Sequence, residues 1–218
     1  MATPKRYFPE GAIYHVFNKS ILGEKIFRER NNAKRFSSLL YYYNTGETLQ
    51  SFSDFIKSKK GFIKQNLLIP REKALVKFIA YCIMPDHYHL VVKVLVDNSL
   101  PYFIGKVENS FTRYFNKKTK RKGPLWQSRF KAVEVKTNEQ LLHLTRYIHL
   151  NPTSDDLVKK PEDWEWSSYR EYIGNEKVLG EYLNEIEVTT VQQYRRFVEE
   201  RKDYQRRLKE LRKLMIEL

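Results

Sequence analysis

Two runs of β-branched and aromatic residues, 76–84 and 89–96, lie either side of Pro85-Asp86 and constrain the fold more than any other feature. Such runs read as strands, Pro-Asp supplies the turn, and two strands this close in sequence pair antiparallel. Other elements flank this hairpin. Residues 12–18 follow Gly11 and read as a first strand, and residues 29–43 set Phe36, Leu39, Leu40 and Tyr43 at helical spacing. After the hairpin, Phe103, Val107, Phe111 and Tyr114 mark a helix over 100–115, residues 129–135 a strand, and 138–150 a helix closed by Pro152. The order predicts an α+β, ferredoxin-like βαββαβ fold, a four-stranded antiparallel sheet with helices on one face. Residues 1–174 read as its domain, with an insertion at about 44–76 that holds one short helix around 52–56. Residues 175–218 read as a basic amphipathic tail with Tyr194, Phe197, Tyr204, Leu208, Leu211, Met215 and Leu218 on one stripe, packed on its own domain or on a second copy.

Charge narrows the partners. There are 40 Lys+Arg against 26 Asp+Glu, a formal charge of +14, while 14% aromatic residues supply a core that disordered polyanion-neutralising tails lack. This excess favours a polyanion, because each phosphate met by Lys or Arg releases counterions. A single cysteine, Cys82, excludes a disulfide framework and paired-thiol zinc sites, which suits a reducing cytoplasm. No apolar run is long enough to span a bilayer, so no membrane partner is expected.

Three constellations could carry chemistry. His87 and His89 are two apart in a strand, so both imidazoles point to one face as a ready metal pair. His143, Tyr147 and Asn151 fall at i, i+4 and i+8, which makes one polar helix stripe. From 113 to 131 the chain holds Arg113, Lys117, Lys118, Lys120, Arg121, Lys122, Arg129 and Lys131 with no acid, and Tyr114, Phe115, Trp126 and Phe130 are interleaved. Cations that track phosphates beside aromatic faces that stack on bases suit single-stranded or hairpin nucleic acid.

Taken together, Met84-Pro-Asp-His87-Tyr88-His89-Leu resembles the HUH motif of single-tyrosine, IS200-like transposases, in particular the REP-associated tyrosine transposases. Further blocks follow in that family's order: Tyr14-His15-Val16, Tyr114-Phe115-Asn116, Gly123-Pro-Leu-Trp126-Gln-Ser-Arg129-Phe130-Lys131, Tyr147-Ile-His-Leu-Asn151-Pro152 and Trp164-Glu-Trp166-Ser-Ser-Tyr169. They cover residues 12 to about 172. The resemblance implies an HUH nuclease palm in which Tyr147 attacks a DNA phosphodiester, becomes joined to the 5′ phosphate and leaves a 3′ hydroxyl. It also implies one divalent cation, Mg²⁺ or Mn²⁺, held by His87, His89 and Asn151. Asp86 stands where the family more often has Asn and is expected, with His143, in a supporting role around the metal. The implied partner is single-stranded or hairpin DNA, bound through Arg113, Lys117, Lys118, Lys120, Arg121, Lys122, Trp126, Arg129 and Lys131.

Two other readings compete. A non-cutting hairpin-binding protein would keep the fold and the basic run but has no chemical need for all of His87, His89, Tyr147 and Asn151. A zinc hydrolase would need a third histidine from His15, His143 and His149 and an acid or base for which no helical spacing provides.

Overall fold

The computed structural model describes residues 6–47, 50–58, 73–174, 190–202 and 204–205. Strand β1 is Ile13–Lys19, β2 Val76–Ile83, β3 His87–Val94 and β4 Lys131–Val135. Helices are α1 Arg30–Tyr42, α2 Phe52–Ser58, α3 Ser99–Thr119, α4 Asn138–Ser154, α5 Tyr169–Ile173 and α6 Val191–Glu199. The sheet runs β2-β3-β1-β4 with every neighbouring pair antiparallel, so the βαββαβ expectation holds. About half of the insertion, 48–49 and 59–72, and the tail positions Leu208, Leu211, Met215 and Leu218 lie outside the described residues.

Period-2 alternation sorts the strands. Tyr14, Val16 and Asn18 of β1 and Tyr88 of β3 turn to the face covered by α1 and α3, where they are buried. There Phe36 of α1 lies 5.0 Å from the Tyr88 ring and 5.4 Å from Phe111 of α3. Trp126 closes this cluster edge-on to Tyr88 at 5.6 Å, and its indole N–H donates to Thr112 Oγ1 at 3.1 Å. The indole is therefore half-buried, packed against the core over part of its surface. Glu108 of α3 is buried beneath the same layer and accepts from Asn18 Nδ2 at 2.8 Å and Tyr88 Oη at 2.7 Å. Burial pushes its carboxyl up to about 7, against the pull of those two donors.

Helix α4 lies across the other face, where it meets β2 and carries Tyr147 toward His89. Its N-terminus is capped by Thr137 Oγ1, which accepts from Gln140 N at 3.1 Å. It does not stop at Pro152 as its sequence suggests but runs on to Ser154. Proline deletes one donor to the preceding turn. The last turn is held by side-chain bonds from Thr153 and Ser154 to Leu150 O, both at 2.9 Å, and by burial of Pro152, Thr153 and Ser154. Local propensity yields to tertiary packing, and Asn151 stays in helical phase with Tyr147.

The tail packs on its own domain over its described part. Tyr194 and Val198 of α6 are buried, Tyr194 among His149, Tyr169 and Tyr172, with Tyr172 4.7 Å away. The Tyr194 hydroxyl lies 2.7 Å from His149 Nδ1, and His149 Nε2 lies 2.8 Å from Ser168 Oγ. Ser168 in turn accepts from Tyr81 N at 2.9 Å and donates to Tyr81 O. That chain is satisfied by a neutral ring with its proton on Nε2 and Tyr194 donating to Nδ1, and burial lowers His149 to about 3, which keeps it neutral. A polar relay thus links α6 through α4 to the sheet.

Two stability outcomes follow. Tyr194→Phe leaves a buried His149 nitrogen unpaired and should cost about 1–3 kcal/mol in urea denaturation. Glu108 has a folded-state value above its unfolded one, so its contribution is complete below about 4.5 and is lost as pH rises through about 7. Glu108→Gln, whose carbonyl still accepts both bonds, should therefore gain on the parent protein by roughly 2 kcal/mol between pH 5 and pH 8.

Candidate active site

On the α4 side of the sheet, β1, β3 and α4 enclose a cleft of about 350 Å³ lined by His87, His89, Tyr147 and Asn151 together with Phe17, Lys19 and Lys131. Sheet register builds it. The β1–β3 pairing sets Phe17 opposite His89 and Lys19 opposite His87, so alternation sends His15, Phe17 and Lys19 to the histidine face. The His87 and His89 rings stand edge to face at 4.9 Å, and the Tyr147 ring is 6.0 Å from His89. Tyr147 is 37% exposed, whereas Asn151, one turn further along, is 1% exposed. Helical phase therefore places a reachable phenol and a sheltered amide in one cleft. Among the described residues, no carboxylate lines it.

Both histidines are held by their Nδ1 atoms. Asp86 Oδ1 lies 2.6 Å from His87 Nδ1, and His15 Nε2 lies 3.0 Å from His89 Nδ1. Burial pushes the Asp86 carboxyl up, but hydrogen bonds and charge from His87 and Lys25 outweigh it and hold the group well below the usual carboxylate range. Lys25 Nζ is 3.2 Å and Lys19 Nζ 3.7 Å from Asp86 Oδ2. Burial lowers His15 to about 4, so it is a neutral ring able to accept a proton bond. In the neutral tautomer that gives Nδ1–H to Asp86 or His15, each cleft histidine keeps Nε2 as its acceptor nitrogen, the form in which imidazole binds a metal.

The amide nitrogen of Asn151 is buried without a hydrogen-bond partner. Orphan polar atoms at this depth are costly and call for a ligand. A half-turn of the amide puts its oxygen in that place, and two imidazole nitrogens with one amide oxygen suit Mn²⁺ or Mg²⁺. His87, His89 and Asn151 therefore fit the divalent cation that their resemblance implies.

The remaining predicted residues scatter. Lys131 reaches the cleft, with Nζ 6.0 Å from the centre of the Phe17 ring, and exposed Arg129 precedes it. Lys118 pairs with Glu29 and Asn32, and Arg121 with Glu24 and Asn116, so neighbouring groups already engage these cations. Lys120 and Lys122 are exposed beyond α3, with Lys120 in left-handed conformation at its C-cap. Arg113 and Lys117 line a different groove, formed by α3 with the segment that leads into α2. His143 turns from the cleft and meets Arg146 at 2.7 Å and the Phe197 ring at 5.7 Å. Among the described residues its contacts are thus with α4 and α6 and not with His87, His89 or Asn151.

Sequence reasoning did not assign Phe17, Lys19, Gln127, Ser128 or the support from His15 to this cleft. Alternation in β1 groups His15 with Phe17 and Lys19, but only the pairing with β3 shows which face they share with the histidines.

The comparisons agree with the resemblance seen in the sequence. The model of the IS200-like transposase family matches residues 53–151, a span that includes all four cleft residues His87, His89, Tyr147 and Asn151. A REP-associated tyrosine transposase of Haemophilus influenzae is 27% identical over 143 residues, which is 60% of this chain and 79% of that protein. A solved REP-associated tyrosine transposase bound to a REP hairpin has the same fold, with a TM-score of 0.52 at 16% identity over 79% of this chain and 86% of the other.

His15 gives the site its own test. His15→Phe keeps an aromatic ring but removes the acceptor for His89, and should weaken Mn²⁺ binding by about 10- to 100-fold in an electron paramagnetic resonance titration.

Proposed function

We propose that this relative of the IS200-like transposases is a metal-dependent nuclease and strand transferase that cuts single-stranded DNA beside a hairpin. One observation carries the reading: the only phenol lining the cleft among the described residues, Tyr147, faces two histidines whose Nδ1 atoms are both held and an asparagine amide with a buried orphan nitrogen. A structural role alone does not require these four groups to converge.

In this reading Tyr147 Oη attacks a backbone phosphorus, an oxygen–phosphorus bond forms to the tyrosine, and the bond to the 3′ oxygen breaks. The phenolic proton is lost to water and the departing 3′ oxygen takes one up, so a 5′-phosphotyrosine and a free 3′ hydroxyl result. Bound at His87, His89 and Asn151, a divalent cation would supply Lewis acidity toward the phosphate. Lys19 and Lys131 line the same space and offset charge that builds on the phosphate oxygens. Because the phosphotyrosine keeps the energy of the phosphodiester, an incoming 3′ hydroxyl can reverse the step and join strands. Since no carboxylate among the described residues lines the cleft to act as base, tyrosine attack is a better fit than activation of water.

We take residues 1–174 as the unit that carries this chemistry, with 175–218 as an appendage whose described part rests on it. Since Tyr194 and Val198 are spent on that contact, any dimer through the tail would have to use its other side chains. No helix among the described residues is long and apolar enough to cross a membrane.

The test is a denaturing gel of protein with labelled single-stranded DNA carrying a hairpin and Mn²⁺, drawn from sequence that flanks the gene. A labelled band at protein mass is expected, absent in Tyr147→Phe and in His87→Ala, with hairpin binding by Tyr147→Phe within about twofold of the parent protein. An adduct that persists in Tyr147→Phe removes Tyr147 from the role, and hairpin binding without any adduct in the parent protein favours the non-cutting reading.

A further inference from the structure

Behind the cleft, on the sheet face covered by α1 and α3, one carboxylate oxygen gathers the residues that alternate with the cleft lining. Glu108 Oε1 accepts from Tyr88 Oη at 2.7 Å and from Asn18 Nδ2 at 2.8 Å. Tyr88 stands between His87 and His89, and Asn18 between Phe17 and Lys19, so each donor belongs to a strand whose neighbouring side chains line the cleft. Glu108 is buried and both of its side-chain partners are neutral. A carboxylate in such a place costs more than an apolar residue of similar size unless its acceptor is used.

Asn18 carries the link onward. Its amide nitrogen also donates to Ser128 O at 3.0 Å, which uses both amide hydrogens, and its Oδ1 accepts from Lys19 N at 2.9 Å. Ser128 belongs to the loop that leads from α3 into β4, and with Gln127 and Lys131 it lines the cleft. A second chain starts from the same turn of α3: Trp126 Nε1 donates to Thr112 Oγ1 at 3.1 Å, and Thr112 Oγ1 donates to Glu108 O at 2.8 Å. Trp126 and Ser128 therefore both hang from the Glu108 turn. Between them Gln127 N donates to Lys19 O at 2.9 Å, and its exposed side chain lines the cleft.

We propose that Glu108 is a positioning residue of the cleft, which acts through the Asn18 amide to hold Gln127 and Ser128 in place as one of its walls. The action is indirect. Without the Glu108 oxygen, the Asn18 amide has a buried hydrogen and no partner on that side, so it can turn away from Ser128 O. The loop then keeps its bonds to Lys19 O and Thr112 but loosens at Ser128, directly before Arg129 and Lys131. A wall fixed before a strand arrives needs no ordering on binding, so a loosened wall weakens the strand's affinity. That consequence rests on the nucleic-acid reading above, whereas the anchoring itself needs neither the strand, the metal nor the cutting step.

Four variants separate positioning from stability alone. Asn18→Ala and Glu108→Leu cut the link to Ser128, and Glu108→Gln keeps an oxygen that accepts both bonds. Tyr88→Phe removes the other bond to Glu108 and leaves the link to Ser128 whole. Hydrogen exchange of residues 124–131, read by mass spectrometry, should speed up about tenfold in Asn18→Ala and Glu108→Leu and stay within about twofold in the other two. Fluorescence anisotropy with a single strand of about six nucleotides should show a loss of about three- to tenfold in the first pair and under about twofold in the second. Urea denaturation ranks the variants by stability, and Tyr88→Phe should lose about as much as Asn18→Ala, since each deletes one donor to Glu108. Should Glu108→Leu fail to fold, the contrast between Asn18→Ala and Tyr88→Phe decides. Exchange that tracks stability, with the loop as loose in Tyr88→Phe as in Asn18→Ala, overturns the proposal and leaves Glu108 a brace of the core. Parental strand affinity in Asn18→Ala overturns it too. A parent protein that binds no strand, with exchange as expected, retires the nucleic-acid reading and leaves the anchored wall standing.

Discussion

The register that pairs Phe17 with His89 and Lys19 with His87 is the constraint on which the rest of the molecule depends. Because strand side chains alternate, it commits Tyr88 to the aromatic core and the two flanking histidines to the cleft in one stroke. A slip of one residue would reverse both, exposing a phenol that Glu108 anchors and burying imidazoles that have partners only on the other face. Core packing of Tyr88 against Phe36 and Trp126 therefore enforces the geometry of the site as well as the stability of the sheet. Fold and candidate chemistry draw on the same hydrogen-bonded ladder.

The second requirement is that α4 arrive in the right rotation. Its phase is set from behind the cleft, through Leu141, Ile148 and His149, all buried, and through the relay from Tyr194 to the Tyr81 backbone. That relay holds a neutral imidazole between two hydroxyls, so it specifies position more tightly than apolar contact would. Continuation of the helix through Pro152 then keeps Asn151 one turn from Tyr147. The C-terminal segment reaches further, since Gln205 Nε2 donates to Tyr147 O at 3.0 Å and Arg146 stacks on Phe197 at 4.1 Å. The helix that presents the phenol is braced from both its sheet side and its tail side.

Electrostatics follow the same division. Asp86 is the acid nearest the two cleft histidines, and it is engaged by His87 Nδ1 and flanked by Lys25 and Lys19. Its charge is thus spent on orienting an imidazole instead of opposing an anionic phosphate. Lys118 and Arg121, by contrast, are matched with acids, so the sum of charges in a basic run overstates what a polyanion meets.

Much of the architecture was legible in the amino-acid order. Alternation and the Pro-Asp turn located the hairpin, three- and four-residue spacing located α1, α3 and α4, and the shared faces of His87 with His89 and of Tyr147 with Asn151 follow from periodicities of 2 and 3.6. Those are local geometric facts. What only the tertiary structure decided is which faces meet: that His15 supports His89, that Lys19 enters the cleft, that His143 meets Arg146 and Phe197, and that one basic run is divided between two surfaces. Each depends on contacts between residues far apart in sequence, whose pairing is set by burial and strand register. Local spacing shows that two side chains share a face; long-range packing decides what that face meets.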